Sequence, residues 1–313
     1  MLFPKIKITG TGSYVPERII SNSDLELIAP TSAEWIFENL GIKERHVVTN
    51  QATSDISVLA AKNAINAAGI DPEEIDCIIL ATSTPDRIAP STACIIKNKL
   101  KIKNHCPAFD ISAVCTGFVY SLSVAATQIA IQGYKKILVI GADCFSKITD
   151  WSRRDCVFFG DGAGAAIVEP AEGNALFHSR IFTETENVDH FTVFPNDKYF
   201  SMNSRAVYDT GSMVLPKAIN QVLKEANISI SDVKCVIPHQ PSKKLLQQAA
   251  KKLNVDFSLF KTNMDKYANT SGGTVPIILD ETVRAGEIKS NDTIIFAAVG
   301  SGWTWGAGVL QWT

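Results

Sequence analysis

The chain has 313 residues, of which 46% are apolar and 20% charged, and its formal charge is −2. This composition is typical of a globular protein that buries a sizeable core. The near balance of 30 basic and 32 acidic residues argues against a nucleic-acid partner or a polybasic membrane tether. No apolar run stands out as a membrane-spanning helix of ~20 residues, so we expect no membrane insertion.

The predicted elements alternate along the chain between helices and short apolar runs rich in β-branched residues. Strands are predicted at 77–81, 136–141, 164–168, 234–237 and 293–299, and helices at 55–68, 91–100, 115–132, 212–226 and 242–253. This pattern predicts an α/β protein whose strands are fully buried.

The two halves of the chain repeat each other. Residues 67–79 (AAGIDPEEIDCII) correspond without a gap to residues 225–237 (EANISISDVKCVI), 158 positions later (225 − 67). Residues 137–141 (ILVIG) correspond to 294–298 (IIFAA), 157 positions later (294 − 137). Two such matches between the halves, in the same order, indicate a duplicated unit. We predict halves at 1–170 and 171–313, joined by a polar stretch around 170–210, with the functional site where the halves meet.

The cysteines are odd in number and scattered through apolar segments, which favours reduced thiols and a cytoplasmic protein. They are Cys77, Cys94, Cys106, Cys115, Cys144, Cys156 and Cys235. There is no CxxC pair and no Cys/His cluster at metal spacing, so we expect no metal site.

Cys115 differs from the other cysteines in its setting. It lies in DISAVCTGF, after a strand-like run and at the start of an apolar helix. The partial positive charge of a helix N-terminus lowers the pKa of a thiol and increases its thiolate fraction. On this evidence alone, a nucleophile and a buried structural cysteine are about equally supported.

Two polar residues of the second half are candidates for the same site. His239 follows a predicted strand in CVIPHQPS, at the end that faces the ligand crevice in α/β proteins. Asn269 lies in the polar turn YANTSGGTVP, where its amide either enters a site or closes a local turn. Each residue alone is more often structural.

Together, Cys115, His239 and Asn269 in this order resemble the β-ketoacyl-acyl carrier protein synthase III family. The resemblance covers nearly the whole chain, through the motifs TSAEWI, GIKERHVV, DISAVCTGF, FFGDGAGAAIV, IPHQPS, ANTSGGTVP and GSGWTWG. It implies a thiolase-like fold, with two duplicated five-stranded halves in a layered αβαβα arrangement.

The resemblance also implies a mechanism. Cys115 takes an acyl group from acyl-CoA, and the backbone N–H groups of Cys115 and Ser301 stabilise the oxyanion. Malonyl-acyl carrier protein then decarboxylates, while His239 and Asn269 hold the thioester oxygen, and its enolate attacks the acyl group. The implied partners are acyl-CoA as a substrate, acyl carrier protein and a second copy of the chain, with no permanently bound cofactor.

Binding residues follow from the resemblance as well. Trp35 is expected to stack on the CoA adenine, with Arg154 on the other face of that ring. The chain departs from the family at Asn39, where many members have an arginine that reaches the CoA phosphates, and at Ser242, where the family has asparagine.

Two further expectations concern the acyl chain and the carrier protein. Ala89 lies just before a Pro-Ser pair. In members of the family that use short acyl chains, a bulky aromatic residue at this position closes the acyl tunnel of the partner subunit. We therefore expect this enzyme to accept a primer longer than acetyl. A basic stripe that includes Lys243 and Lys244 on one side of the next helix either docks the acidic carrier protein or is merely a solvated face.

Three alternative functions differ in the residues that they require. A specialised acyltransferase would pass the acyl group to a hydroxyl, an amine or another non-malonyl acceptor, and the departures at Asn39 and Ser242 keep it open. A non-enzymatic partner of an active synthase would typically lack one of the three catalytic side chains. A thiolase would need a second cysteine near the C-terminus, whereas the last one here is Cys235.

Overall fold

Two sheets with the same strand order organise the chain. The computed structural model describes residues 5–173, 175–186, 188–194 and 197–313. The strands in these residues are β1 (Ile6–Tyr14), β2 (Arg18–Ser21), β3 (Glu44–Val47), β4 (Cys77–Ala81), β5 (Ala108–Ile111), β6 (Ile137–Cys144), β7 (Asp161–Pro170), β8 (Phe177–Thr183), β9 (Phe191–Thr192), β10 (Ser201–Met202), β11 (Val233–Pro238), β12 (Thr293–Gly300) and β13 (Thr304–Gln311). The helices are α1 (Asn22–Glu26), α2 (Ala33–Leu40), α3 (Thr53–Ala68), α4 (Thr92–Lys99), α5 (Gly117–Gln132), α6 (Ser204–Ala226), α7 (Lys243–Leu253), α8 (Met264–Tyr267) and α9 (Thr274–Arg284).

The first sheet has the order β1-β7-β6-β4-β5, in which β6, β4 and β5 are parallel and the other pairs antiparallel. The second sheet has the matching order β8-β13-β12-β11, with β12 and β11 parallel. Where the resemblance implied a fifth strand, the described residues have one parallel bridge between Val236 and Phe260. A 3₁₀ turn at Phe257–Leu259 occupies the chain just before that bridge and leaves little length for pairing.

The sequence repeat corresponds to repeated structure. Helices α3 and α6 both end in a left-handed residue, Gly69 (φ 66°) and Asn227 (φ 57°). Each is followed by a 3₁₀ turn, at Pro72–Glu74 and Ile230–Asp232, and then by the equivalent strands β4 and β11. The left-handed cap ends a helix sharply and returns the chain toward the sheet. The predicted duplication and layered α/β fold are confirmed.

The helices form three layers around the two sheets. Helices α5 and α9 pack between the sheets, where the Phe118 and Phe296 rings meet edge to face at 6.5 Å. Helices α3 and α4 cover the first sheet, whereas α6 packs on the second and α7 packs on α6. The segment Val114–Gln132 is long and apolar enough to span a membrane, although no such segment was expected from the sequence. In the structure, however, 56% of its most apolar window is buried inside the protein. Contact with both sheets explains why this helix is apolar nearly all round.

The stretch around 170–210 is not simply a polar connection, as the sequence predicted. It contains β8, which forms the edge of the second sheet, and the first turns of α6. Helix α6 begins at Ser204 rather than at 212, because the Asn203 side chain accepts a hydrogen bond from the Ala206 amide (3.1 Å) and caps it. Residues 204–210 of this helix are exposed or half-buried, so they lack the apolar periodicity that marks the rest of the helix.

Candidate active site

Cys115 lies at the bottom of a cavity between the two halves. It occupies a 3₁₀ turn, Val114–Thr116, that leads directly into α5. Val114 has φ 48°, a strained left-handed conformation for a β-branched residue. The cavity has a volume of about 370 Å³, and its wall includes Cys115, His239 and Asn269. The structure therefore brings together the three candidates that the sequence places far apart.

The ionisation of Cys115 differs from the sequence expectation. Its side chain is 7% exposed, and burial raises the pKa of the thiol to about 12, with a smaller upward contribution from the Asp143 carboxylate. Hydrogen bonds from Ser271 and Asn269 favour the thiolate but do not offset the loss of hydration. The predicted lowering of the thiol pKa by the helix N-terminus is thus outweighed, and the resting thiol is protonated.

His239 and Asn269 form a neutral hydrogen-bonded pair. His239 Nε2 lies 3.1 Å from Asn269 Oδ1, and the Ser271 amide donates to the same oxygen at 2.8 Å. Because a backbone N–H must meet an acceptor, this atom is the amide oxygen, so the histidine proton is on Nε2. Burial lowers the pKa of His239 to about 4, which keeps the ring uncharged at neutral pH. Asn269 can therefore offer its amide N–H groups to a ligand in the cavity, and His239 can offer its Nε2–H when that proton leaves Asn269 Oδ1.

The turn that carries Asn269 is held by the first half of the chain. The Asn269 amide donates to the Phe158 carbonyl (3.0 Å), and the Gly160 amide donates to the Asn269 carbonyl (3.1 Å). The Gly272 amide donates to Asp143 Oδ2 at 3.0 Å. These hydrogen bonds fix the turn against the base of the cavity.

The Gly300–Ser301 turn faces the backbone of Cys115. A Cβ atom built on Gly300 would lie 3.1 Å from the amide nitrogens of Cys115 and Thr116, so a larger residue would require these neighbours to shift. Ser301 lines the cavity, and its hydroxyl donates to the Phe191 carbonyl (2.7 Å). The Ser301 side chain is therefore bound to another segment of the chain.

Trp35 lines the Cys115 cavity, whereas Arg154 lines a second cavity that Trp35 shares, and the two side chains are stacked on each other. The Arg154 guanidinium is 4.1 Å from the centre of the Trp35 ring, a typical cation–π contact. An aromatic ring inserted between them would need roughly twice that separation. The expected sandwich around an adenine is closed in this conformation, so Arg154 must move for it to form.

The two departures from the family both have structural roles. Asn39 Oδ1 accepts a hydrogen bond from Lys244 Nζ at 2.7 Å, which holds this lysine at the cavity mouth. Ser242 caps α7 by accepting from the Leu245 amide (3.3 Å). Lys243, in contrast, packs beside Gly41 and lines a separate surface cavity. Of the two predicted docking lysines, Lys244 alone lines the Cys115 cavity.

Ala89 does not line the Cys115 cavity of its own chain. It is exposed, and its neighbour Ile88 is fully exposed. The prediction that it shapes a partner's acyl tunnel stays a prediction.

Two residues of this region were not predicted from the sequence: Ser271, whose hydroxyl lies 3.5 Å from the Cys115 sulfur, and Asp143, which binds the Gly272 amide. Ser271 is part of the motif that was quoted for Asn269, and Asp143 follows the apolar run ILVIG at the carboxyl end of β6. The rule that used the carboxyl ends of strands to find His239 would also have found Asp143. Among the described residues, no group of three or more His, Cys, Asp or Glu side chains is arranged to hold a metal ion.

The duplicated fold, with a buried cysteine at a central helix facing a histidine and an asparagine from the other half, defines the class of thiolase-fold acyltransferases. Models of the 3-oxoacyl-[acyl-carrier-protein] synthase III domain and of its C-terminal domain match residues 109–185 and 223–312. The chain is 39% identical to the β-ketoacyl-[acyl-carrier-protein] synthase III of Clostridium acetobutylicum, over 98% of this chain and 99% of that protein.

The same enzyme of Neisseria meningitidis serogroup C is also 39% identical, with the same coverage. The crystal structure of 3-oxoacyl-[acyl-carrier-protein] synthase III from Aquifex aeolicus superposes with a TM-score of 0.95 at 39% identity, over 98% of this chain and all of that one. The chain belongs to the β-ketoacyl-acyl carrier protein synthase III family, and it is a condensing acyltransferase of fatty-acid biosynthesis.

We predict that His239 remains neutral, with its proton on Nε2, from pH 8 down to about pH 5. Burial disfavours the imidazolium, so the ring should titrate near 4 rather than near its ordinary value. ¹⁵N NMR of histidine-labelled protein measures both the tautomer and the pKa, and the signal that disappears in His239→Gln assigns the resonance. Titration near 6.5, or a proton on Nδ1, would contradict the geometry.

Proposed function

We propose that this enzyme loads an acyl group from acyl-CoA onto Cys115 and condenses it with malonyl-acyl carrier protein. The observation that carries this proposal is the shared cavity of Cys115, His239 and Asn269. The two half-reactions require a thiol, two neutral N–H donors and a backbone turn close to Cys115.

In the first half-reaction, the Cys115 sulfur attacks the thioester carbon. Negative charge then develops on the carbonyl oxygen, for which the backbone N–H groups of Cys115 and Ser301 are the proposed donors. The close approach of the Gly300 backbone to Cys115 supports this pairing. Loss of one such donor typically costs about 3 kcal/mol of transition-state stabilisation.

In the second half-reaction, decarboxylation of the malonyl group generates an enolate. His239 Nε2–H and the Asn269 amide are the proposed donors to the thioester oxygen on which charge accumulates. Neutral donors fit this task, because they stabilise the enolate without protonating it. The enolate then attacks the acyl carbon, and the Cys115 thiolate leaves.

The departures from the family at Asn39 and Ser242 kept open a second function, transfer of the acyl group to a hydroxyl or an amine. Both residues have structural roles, so they no longer favour that function. Asn39 holds Lys244, which brings a positive charge to the mouth where the family's arginine is missing. Ser242 caps a helix. We therefore retain acyl-CoA and acyl carrier protein as the substrates, with Trp35 and Arg154 at the CoA adenine. We also propose that the enzyme has no resident cofactor, forms a homodimer and is cytoplasmic.

The division of the chain at residue 170 is proposed on the same grounds. Every strand of the first sheet ends by Pro170, and β8 of the second sheet begins at Phe177. The first half supplies Cys115, and the second supplies His239 and Asn269.

The half-reactions provide the test. Cys115→Ala should abolish acyl-dependent release of CoA, whereas His239→Ala and Asn269→Ala should retain it and lose at least 100-fold in release of CO₂ from malonyl carrier, as expected for removal of a charge-stabilising donor. Release of each product is measured separately in single-turnover reactions. Equal loss of both half-reactions in the His239 and Asn269 variants would contradict the assigned roles.

The position of Lys244 changes the prediction for the basic stripe. Because Lys244 lines the cavity mouth, Lys244→Glu should raise the KM for both acyl-CoA and malonyl carrier about fivefold, the equivalent of ~1 kcal/mol. Lys252→Glu, on the same helix but outside the cavity lining, should raise the KM for the carrier alone, and more strongly at low salt. An unchanged KM for acyl-CoA in Lys244→Glu would refute this placement.

Ala89 is expected to leave space for a primer longer than acetyl in the partner's tunnel. Each buried methylene adds roughly 0.8 kcal/mol of binding, so wild type should acylate faster with hexanoyl- or decanoyl-CoA than Ala89→Phe does. Rates with acetyl-CoA serve as the internal control and should change little. A wild type that strongly prefers acetyl, with no effect of the phenylalanine, would show that another side chain closes the tunnel.

A further inference from the structure

Asp143 is a buried carboxyl group that accepts hydrogen bonds on both sides. It lies near the carboxyl end of β6 and has no solvent exposure. On one side, Oδ1 accepts from the main-chain amides of Ser83 (2.7 Å) and Thr84 (3.1 Å) and from the hydroxyls of Thr82 and Thr84 (3.1 Å each). On the other side, Oδ2 accepts from the Gly272 amide (3.0 Å). Because a main-chain N–H can only donate, both oxygens act as acceptors.

These contacts join the end of β4 to the turn that carries Asn269. Residues 82–84 follow β4 directly, whereas Gly272 belongs to the second half of the chain. The packing here is close, since a Cβ atom built on Gly272 would lie 3.2 Å from Asp143 Oδ2 and 3.3 Å from the Ala81 carbonyl oxygen. Asp143 therefore connects a loop of the first half to a catalytic turn of the second.

The turn that Asp143 binds has an unfavourable backbone conformation. Ser271 has φ 52°, in the left-handed region that residues with a side chain rarely adopt. Such a conformation persists only where the surrounding structure holds it. The amide that Asp143 binds belongs to Gly272, the next residue. This hydrogen bond therefore helps to keep Ser271 in its left-handed conformation.

The conformation of Ser271 in turn orients the Asn269 side chain. The Ser271 amide donates to Asn269 Oδ1 at 2.8 Å, and His239 Nε2 donates to the same oxygen at 3.1 Å. If the Ser271 amide turned away, Asn269 would lose the contact that distinguishes its side-chain oxygen from its nitrogen. The Asn269 amide could then flip, and His239 would lose its acceptor. The hold of Asp143 on the turn thus extends to both side chains that face the cavity.

We propose that Asp143 is a positioning residue for the second half-reaction. It does not line the Cys115 cavity, and it acts by keeping the Ser271 amide on Asn269 Oδ1. This inference rests on the proposed roles of His239 and Asn269 as donors to the enolate oxygen. The main chain of Asn269 is held separately, by hydrogen bonds to the first half of the chain. Loss of the Asp143 contact should therefore disturb the orientation of the Asn269 amide and leave the residue in the cavity.

Asp143→Asn tests this role, because an amide cannot accept hydrogen bonds at both ends. When the oxygen of the new side chain faces the amides of Ser83 and Thr84, its NH₂ group faces the Gly272 amide, so that two donors oppose each other. The reverse orientation opposes the NH₂ group to two amides and two hydroxyls instead. We therefore expect the first orientation, in which the hold on Gly272 is lost.

Asp161→Asn is the matched control. Asp161 is also fully buried, and its two oxygens accept separately from the main-chain amides of Ser146 (2.8 Å) and Val48 (2.7 Å). Neither of these partners lines the Cys115 cavity. The same substitution therefore creates the same opposition of donors, and a similar loss of stability, without acting on the catalytic turn.

Thr82→Val is a milder second variant. It removes one hydroxyl donor to Asp143 Oδ1 and leaves a side chain of nearly the same shape. In wild type and all three variants, CoA release and CO₂ release are followed in single turnovers as rate constants, which do not depend on the fraction of protein that is folded. ¹⁵N NMR of histidine-labelled protein follows the tautomer of His239.

In Asp143→Asn, CO₂ release should slow on the order of 100-fold, the cost of a misplaced catalytic group, while CoA release changes less than about threefold. The proton of His239 should no longer reside on Nε2 alone. Thr82→Val should slow CO₂ release about fivefold, as expected for one lost hydrogen bond. Asp161→Asn should change neither the two rate constants nor the tautomer.

Three results would each overturn the positioning role alone: equal slowing of both half-reactions in Asp143→Asn, an unchanged His239 tautomer in that variant, or the same selective loss in Asp161→Asn. If Asp143→Asn yields no folded protein, Thr82→Val decides, and wild-type rate constants in it would also overturn the role. His239→Ala is run alongside. If that variant keeps wild-type CO₂ release, the proposed function itself fails.

Discussion

The active site depends on one turn of the second half being hydrogen-bonded into the first half. The main chain of Asn269 pairs with Phe158 and Gly160, and the Gly272 amide binds Asp143. The approach is so close that a Cβ atom on Gly141 of β6 would lie 2.1 Å from the Gly272 carbonyl oxygen. Neither half contains a complete site, and the pairing of the two duplicated sheets creates it. A shift of this turn by an ångström would separate the asparagine and the serine from the thiol together.

Burial at this junction determines the chemistry of the site. Loss of hydration disfavours charge, so the thiol and the imidazole are both neutral at rest. Hydrogen bonds to a developing charge are stronger in such an environment than in water. The site therefore has donors ready for an oxyanion or an enolate.

The sequence predicted much of this arrangement, because duplication and the order of motifs are visible in the amino-acid sequence itself. The helix ends at residues 68 and 226, the buried strands and the three separated residues Cys115, His239 and Asn269 were all predicted. The ionisation of Cys115 was not, since it depends on how completely other segments exclude water. Asp143 was missed for a similar reason: it binds the Gly272 amide, which is far away in the chain. The stacking of Arg154 on Trp35 is likewise a tertiary contact.

The central claim is that the acyl group resides on Cys115 between the two half-reactions. The direct measurement is a rapid-quench chase, in which acyl-enzyme made with a slight deficit of labelled acyl-CoA is mixed with malonyl carrier protein. We expect the labelled peptide to contain Cys115, and its label to disappear at the same rate as labelled β-ketoacyl carrier appears. Product that forms while the label on Cys115 remains, or before any label is found there, would contradict the claim.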